Sequence, residues 1–508
     1  MAFGNRWIAA TLAVVLLTVG VTPSVAQPAR ARRDVDLGRM SGAERVAFAT
    51  AMPKGGELHN HLSGSVFPET FLDWAAADGL CVDTAALALH PPCTPAEGFR
   101  SAADAVRDEA LRAAMIDSLS TRKSGFAGRS GHDQFFSAFG RFAATRRERD
   151  GAILADLMDG LAAQNTYYLE LMVTPQGRQT RALGAKVGWR EDFAAQKAAL
   201  AAADLGGLVE AAVADTDALE RSARGILSCD SAQPRPGCAV TVRYLVQASR
   251  ILPPEETFAQ LQMGVALVRR DPRWVGLQLV APESDPRALA NYSLHMRMVD
   301  DLTEHGRAAP AALHAGELSL PTATVKDMRF HIAEAVRVAG ARRIGHGVDL
   351  PYEIGAEALA AEMAAKGVLV EINLTSNATI LGVEGDEHPY AWLRARGVPV
   401  SLSTDDAGIL RIDLSHEYAR AAGEGASYQD LKRSARNALA FSFLAGEGLW
   451  RDPGLYRRPA KACAGQIGRD SPRPGPCADL IAHSDKAREQ WRHERGLADF
   501  EKAAARAR

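Results

Sequence analysis

Eight short apolar runs, each followed by a longer helix-like stretch, constrain this chain more than any other feature of its sequence. The runs are Glu57–His61, Tyr167–Val173, Val240–Ala248, Val275–Val280, Ala311–His314, Arg343–His346, Val368–Asn373 and Val400–Thr404. Several are apolar almost without interruption, as in parallel strands covered on both faces. Amphipathic segments between them include Pro254–Arg270, Pro286–His305, Thr322–Val338 and Ile354–Lys366. This alternation predicts an α/β fold, a (β/α)8 TIM barrel whose strand C-terminal ends share one rim.

Two stretches exceed a minimal barrel. Residues from about 83 to 149 are Ala/Arg-rich and predict a mostly helical insertion after strand 1. Residues from about 446 to 508 predict a C-terminal extension, irregular around Cys463–Cys477 and helical at its end. A chain of 508 residues could hold several domains. No repeat or low-complexity linker separates two cores, so residues 27–508 read as a single barrel domain. Lys and Arg number 59 against 61 Asp and Glu. That balance disfavours a nucleic-acid partner, which needs a basic surface.

The N-terminus bears on compartment. Arg6 is the only charge before Gln27, an apolar stretch runs from about Trp7 to Val21, and small residues precede Gln27. This pattern predicts a signal peptide over residues 1–26, cleaved after Ala26, and a periplasmic or secreted protein with no membrane attachment after cleavage. An uncleaved anchor is the alternative, and the apolar run is short for one. The six cysteines fall as close couples, Cys81 with Cys93, Cys229 with Cys238 and Cys463 with Cys477. Six cysteines allow many pairings. Three local disulfides pinning surface loops fit an oxidising compartment, and the rival zinc site would want CxxC-like spacings that are absent.

Four strand ends carry chemistry. In Glu57-Leu58-His59-Asn60-His61, alternate residues of a strand share a face, so His59 and His61 can point at one centre. In Leu313-His314-Ala315-Gly316-Glu317, a histidine ends the strand and a carboxylate follows, placed as a proton carrier for metal-activated water. A dipole-complementing Glu is the plain alternative there. Arg343-Ile344-Gly345-His346-Gly347 flanks a histidine with glycines, which leave room beside the ring for a ligand or substrate. Ser403-Thr404-Asp405-Asp406 ends an apolar strand in adjacent carboxylates, costly without a cation or donor and otherwise a solvated turn. One barrel rim would gather all four, and three imidazoles with a carboxylate can hold one divalent metal. The other histidines read as surface or packing residues, and His388, ahead of Pro389, as structural.

The ordered strings MPKGGELHNHLSGS, LHAGE, RIGHG, LTSN, HPY and SLSTDDAG, over about Met52 to Leu444, resemble the adenosine deaminase family of the metal-dependent amidohydrolase superfamily. The resemblance implies an exported, bacterial-type deaminase with one Zn2+ held by His59, His61, His314 and Asp405. It implies that Glu317 protonates a purine ring nitrogen and helps activate water. His346 would position the attacking oxygen and stabilise charge, and Asp406 would accept a hydrogen bond from the purine. Adenosine, and deoxyadenosine with it, would become inosine and ammonia. Two positions depart from the family pattern. Ser63 stands where better-known members have an acid reaching the ribose, and Ala281-Pro282-Glu283 stands for Gly-Asp-Glu at a purine contact. These departures keep open another 6-aminopurine, adenine or an adenosine nucleotide, as substrate. A non-catalytic secreted nucleoside-binding protein is the reading from another class.

Overall fold

A parallel strand buried on both faces must find a neighbour on each edge, and eight such strands can satisfy one another by closing into a ring. The computed structural model describes residues 35–506 apart from 95, 124, 147 and 148, and shows this arrangement. The expected signal peptide and its cleavage site lie outside the described residues. Residues 36–508 form one compact unit.

The barrel strands are β1 (Gly55–His61), β2 (Thr166–Val173), β3 (Thr241–Ser249), β4 (Trp274–Val280), β5 (Ala312–Ala315), β6 (Arg343–His346), β7 (Leu369–Ile372) and β8 (Val400–Leu402). They pair in parallel as two four-stranded ladders, β1–β4 and β5–β8. Single parallel bridges join the ladders at both seams, Leu277 to Ala311 and Asn60 to Asp405. The second seam lies at the functional end. There the Asp405 N–H donates to the His59 carbonyl at 3.0 Å, and Asp405 turns the chain with a left-handed φ of 62°.

The helix Pro254–Arg270 follows its sequence signals closely, with proline at its start, Glu255 and Glu256 in the first turn and Arg269 and Arg270 in the last. The expected helix over 322–338 is shorter. Hydroxyls of Thr322 and Thr324 bond locally, to Ser319 and Asp327, and helix begins only at His331–Arg337. The insertion also departs from expectation. Before its helices it forms a three-stranded antiparallel sheet of Leu80–Asp83, Ala88–Pro92 and Phe99–Ser101. Pro91 and Pro92 bar a helix there, and Val82 and Leu89 turn inward.

The structure pairs Cys81–Cys93, Cys229–Cys238 and Cys463–Cys477, with Cα separations of 4.6, 5.4 and 4.8 Å. The third closes a largely exposed loop, as expected, but does so from the inside. Both its cysteines are buried against Leu449, Ala487 and Trp491, so it forms the core of the extension. The extension's last helix, Asp485–Arg506, packs across the strand N-terminal ends. Arg492 donates to the Ala239 carbonyl at 2.7 Å, and Glu489 accepts from the Thr241 hydroxyl at 2.7 Å. That end is closed, and the opposite rim carries the site. Among the described residues, no helix is long and apolar enough to cross a membrane.

Candidate metal-binding and catalytic site

The strand period of two sends His59 and His61 from the end of β1 to one side of the barrel. His314 from β5 and His346 from β6 meet them. Ring centroids lie 4.4 Å apart for His59 and His314, 5.3 Å for His61 and His314, and 5.0 Å for His314 and His346. Beyond β8, Asp405 Oδ1 sits 3.2 Å from His61 Nε2 and 3.5 Å from His59 Nε2. Potential ligand atoms of His59, His314, His346 and Asp405 lie within 4.8 Å of one another, as do those of His61, Asp405 and Asp406.

These groups suit a cation. All are buried, and His59 Nε2, His314 Nδ1 and Asp406 Oδ1 have no hydrogen-bond partner in the protein. Buried imidazole nitrogens without partners are rare unless something else engages them. Imidazoles with one carboxylate match the ligand chemistry of zinc.

A surrounding shell orients the ligands. His59 Nδ1 lies 2.8 Å from Glu371 Oε2, and His61 Nδ1 2.9 Å from Gln247 Oε1, so each ring can turn Nε2 to the centre. Ser376 Oγ donates to Asp405 Oδ2 at 2.7 Å. Behind Glu371 is Arg343, fully buried and paired with both Glu371 and Glu170 at 2.6 Å. Sequence reasoning did not single out Gln247, Ser376, Arg343 or Glu371. A lone acid in the apolar strand Leu369–Ile372 was a signal for the last, since a buried carboxylate requires a partner.

Glu317 stands on the loop after β5. Its Oε1 is 3.6 Å from His346 Nε2, and its Oε2 is 3.6 Å from the Arg250 guanidinium. Glu283 fixes this loop by accepting the N–H groups of Gly316 (3.2 Å) and Glu317 (2.8 Å). Arg250 also donates to the carbonyls of Ala281 (2.6 Å) and His314 (3.0 Å), tying three strand ends together. His331, read from sequence as a surface or packing residue, is a buried packing residue, its Nδ1 2.6 Å from Glu283 and its ring stacked on Tyr292.

Burial, with Asp405 nearby, pushes the Glu317 carboxyl up to about 8. Burial likewise pushes Asp406 up to about 8. Burial opposes ionisation of Asp405 too, but the His59 and His61 imidazoles close beside it prevail and hold it well below the usual carboxylate range. Burial and neighbouring His59 bring His346 down to about 3. In the metal-free site, Asp405 is thus favoured as the anion, and burial favours the protonated forms of Glu317 and Asp406.

Three non-glycine residues at these strand ends have positive φ: Ala281 (81°), His346 (68°) and Asp405 (62°). Such conformations cost about 1–3 kcal/mol each, and clustered strain of this kind accompanies functional sites. A Cβ on Gly345 would lie 2.7 Å from His59 Cε1, so Gly345 makes room for a ligand ring. Gly64 plays the same part for Asp406, whose Cβ would be 2.6 Å from an added methyl. Ser63 lies on the buried turn Leu62–Gly64 that leads out of β1.

The profile of the family described as adenosine deaminase matches residues 151–449, more than half of the chain. An adenosine deaminase of Pectobacterium atrosepticum is 30% identical over 188 residues, 37% of this chain and 50% of that protein. An adenosine deaminase of Escherichia coli is 35% identical over 137 residues, 27% of this chain and 38% of that protein. The chain therefore spans half or less of the length of these relatives. A solved amidohydrolase of Burkholderia ambifaria with bound Zn is 20% identical and covers 80% of this chain and 89% of its own, with a TM-score of 0.52. An N6-mAMP deaminase of Arabidopsis is 21% identical and covers 78% and 96%, with a TM-score of 0.50. These two show the barrel fold. The family match, over more than half of the chain and taking in the strand ends that bear His314, His346 and Asp405, establishes that the chain belongs to the adenosine deaminase family.

Proposed function

We propose that this protein hydrolyses the 6-amino group of adenosine, and of deoxyadenosine, to give inosine or deoxyinosine and ammonia. His59, His61, His314 and Asp405 would hold one zinc ion. The observation that carries the reading is their convergence with Glu317 and Asp406 in one buried cluster at the rim. Zinc bound there supplies Lewis acidity that makes water a nucleophile near neutral pH.

The chain's own groups do the rest. Glu317, protonated at neutral pH, gives its proton to the ring nitrogen beside C6 and receives one from the attacking water. Arg250 and Glu283 hold that carboxyl in reach of the centre. His346 faces the same space through Nε2 and stabilises charge on the oxygen that adds to C6. Ring nitrogens of an aminopurine are acceptors, so Asp406 in its acid form donates to one, reversing the direction expected from sequence.

A second reading, another 6-aminopurine such as adenine or an adenosine nucleotide, is favoured by Ser63 in place of an acid at the sugar. Ala281 speaks less for it, since this alanine keeps the positive φ that glycine would supply. Solved Arabidopsis structures with this fold hold IMP and GMP. Export to the periplasm or beyond is part of the proposal, supported by the leader-like N-terminus and three disulfides.

Ammonia release from adenosine, deoxyadenosine, adenine, adenosine monophosphate and cytidine tests the proposal. Adenosine and deoxyadenosine should show the highest kcat/KM. Faster turnover of adenine or the nucleotide would replace adenosine as substrate. Zinc-loaded protein that binds nucleoside and releases no ammonia would be a binding protein.

A further inference from the structure

We propose that His388 and Asn377 form a relay that fixes which nitrogen of His346 carries its proton, so that His346 presents an N–H rather than a lone pair to the reaction centre. The inference rests on the deaminase reading, which gives that N–H its task.

The relay starts at a group whose role is unambiguous. The backbone N–H of Tyr390 donates to His388 Nδ1 at 3.1 Å, so this nitrogen is an acceptor. Tyr390 opens the short helix Tyr390–Ala395, and its N–H has no carbonyl within the helix to meet. The turn at Pro389 instead brings it back onto the histidine ring. A neutral ring accepting at Nδ1 carries its proton on Nε2. His388 Nε2 lies 3.0 Å from Asn377 Oδ1, which accepts that proton.

With its carbonyl engaged, Asn377 can offer His346 only its amide. Asn377 Nδ2 lies 2.9 Å from His346 Nδ1, and Asn373 Nδ2 approaches the same nitrogen at 3.4 Å. Both amides are donors, so His346 Nδ1 is an acceptor and the ring proton sits on Nε2. All four side chains are buried. Burial, with Arg420 nearby, brings His388 down to about 3, which keeps it neutral. At the far end, His346 Nε2 has no hydrogen-bond partner in the protein and faces Glu317 at 3.6 Å.

The consequence is a division of labour. His346 donates a hydrogen bond to the oxygen that adds to C6 and cannot take the proton of the attacking water. Glu317 is left to carry it. His388, about forty residues on in sequence and never touching the substrate, acts as a positioning residue through Asn377.

The test reads the tautomer and the kinetics separately. Metal-free protein carrying 15N in its 13 histidines gives the first. The His346 ring, assigned by its loss in His346→Gln, should show an unprotonated Nδ1 and a protonated Nε2. Asn377→Asp keeps the shape and turns the donor into an acceptor, so the proton should move to Nδ1. In the zinc-loaded variant kcat should fall about 10²–10³-fold, the scale for losing one preorganised donor. KM should stay within about threefold, because only a transition-state contact is lost. His388→Gln can still donate to Asn377 and should keep far more kcat than His388→Leu.

Wild-type His346 protonated on Nδ1 would overturn the relay, and so would a switched tautomer with kcat unchanged. Equal losses in His388→Gln and His388→Leu would count against it as well. Should Asn377→Asp not fold, the wild-type spectrum and the His388 pair decide alone. If the wild type deaminates no purine, the functional reading fails, and the spectrum still decides the relay.

Discussion

Glutamine at position 371 probes the metal site through a residue that touches no metal. Glu371 is fully buried, and its two oxygens have separate duties. Oε2 accepts from His59 Nδ1 at 2.8 Å, and Oε1 is ion-paired with the Arg343 guanidinium at 2.6 Å. The first contact places the His59 proton on Nδ1 and leaves Nε2 free to ligate. In Glu371→Gln only one oxygen remains, so the new amide must face either the imidazole N–H or the guanidinium, donor against donor. Loss of such an outer partner costs about 10–100-fold in metal affinity, or roughly 1.4–2.8 kcal/mol. Arg343 still has Glu170 at 2.6 Å, so its charge is not orphaned. Damage to the fold should therefore stay below the ~3–5 kcal/mol of a fully broken buried pair. Competition between metal-free protein and a chromogenic chelator measures the affinity, and thermal melting of the same metal-free protein measures the fold. A variant that melts almost normally yet binds zinc as tightly as wild type, within about twofold, would refute the reasoning, because losing the carboxylate that orients His59 should exceed that margin.

Other outcomes follow from single residues. Asp405→Ala should lose zinc on dialysis, since Asp405 is the anion of the set; retained metal would remove it from the ligands. Gly64→Ala should push Asp406 aside and lower kcat/KM for adenosine by about tenfold or more with zinc content unchanged, since sub-ångström misplacement already costs rate. Unchanged kinetics would mean that Asp406 does not orient the purine. His493, in the closing helix, is buried beside Arg436 and Lys432, and burial above all lowers it to about 3. The unfolded chain therefore binds a proton there between about pH 6.5 and 3 that the folded chain refuses, so stability falls as pH falls through that window. Metal-free His493→Gln should lose less melting temperature between about pH 7 and 4 than metal-free wild type, and equal losses would contradict the assignment.

Much of the site was legible because its chemistry sits at strand ends, where spacing has geometric meaning. His59 and His61 share a face by the period of two, and each of the other clusters lies where an apolar run stops. What holds those residues was not legible. Glu371 meets His59 from 312 positions away, and Gln247 meets His61 from 186. Such pairs arise only when the ring brings distant strands together. His388 is the sharpest case: its string was recognisable, yet its contact with Asn377 depends on a turn at Pro389 that no periodicity announces. The insertion's small sheet was missed because its strands are three to five residues long, too short to show a period. The Cys463–Cys477 couple sits in a Gly/Pro-rich stretch that reads as a surface loop. Only the helix Asp485–Arg506, laid over it, makes it a core.

The most direct test of the account compares purified wild type with Glu317→Gln for bound zinc and for ammonia released from adenosine. Glu317 is buried and 3.6 Å from His346, but stands outside the ligand set. The account predicts about one zinc per chain in both proteins, with turnover in wild type and at least a ~10³-fold loss in the variant. Turnover persisting in the variant, or zinc lost together with activity, would contradict it.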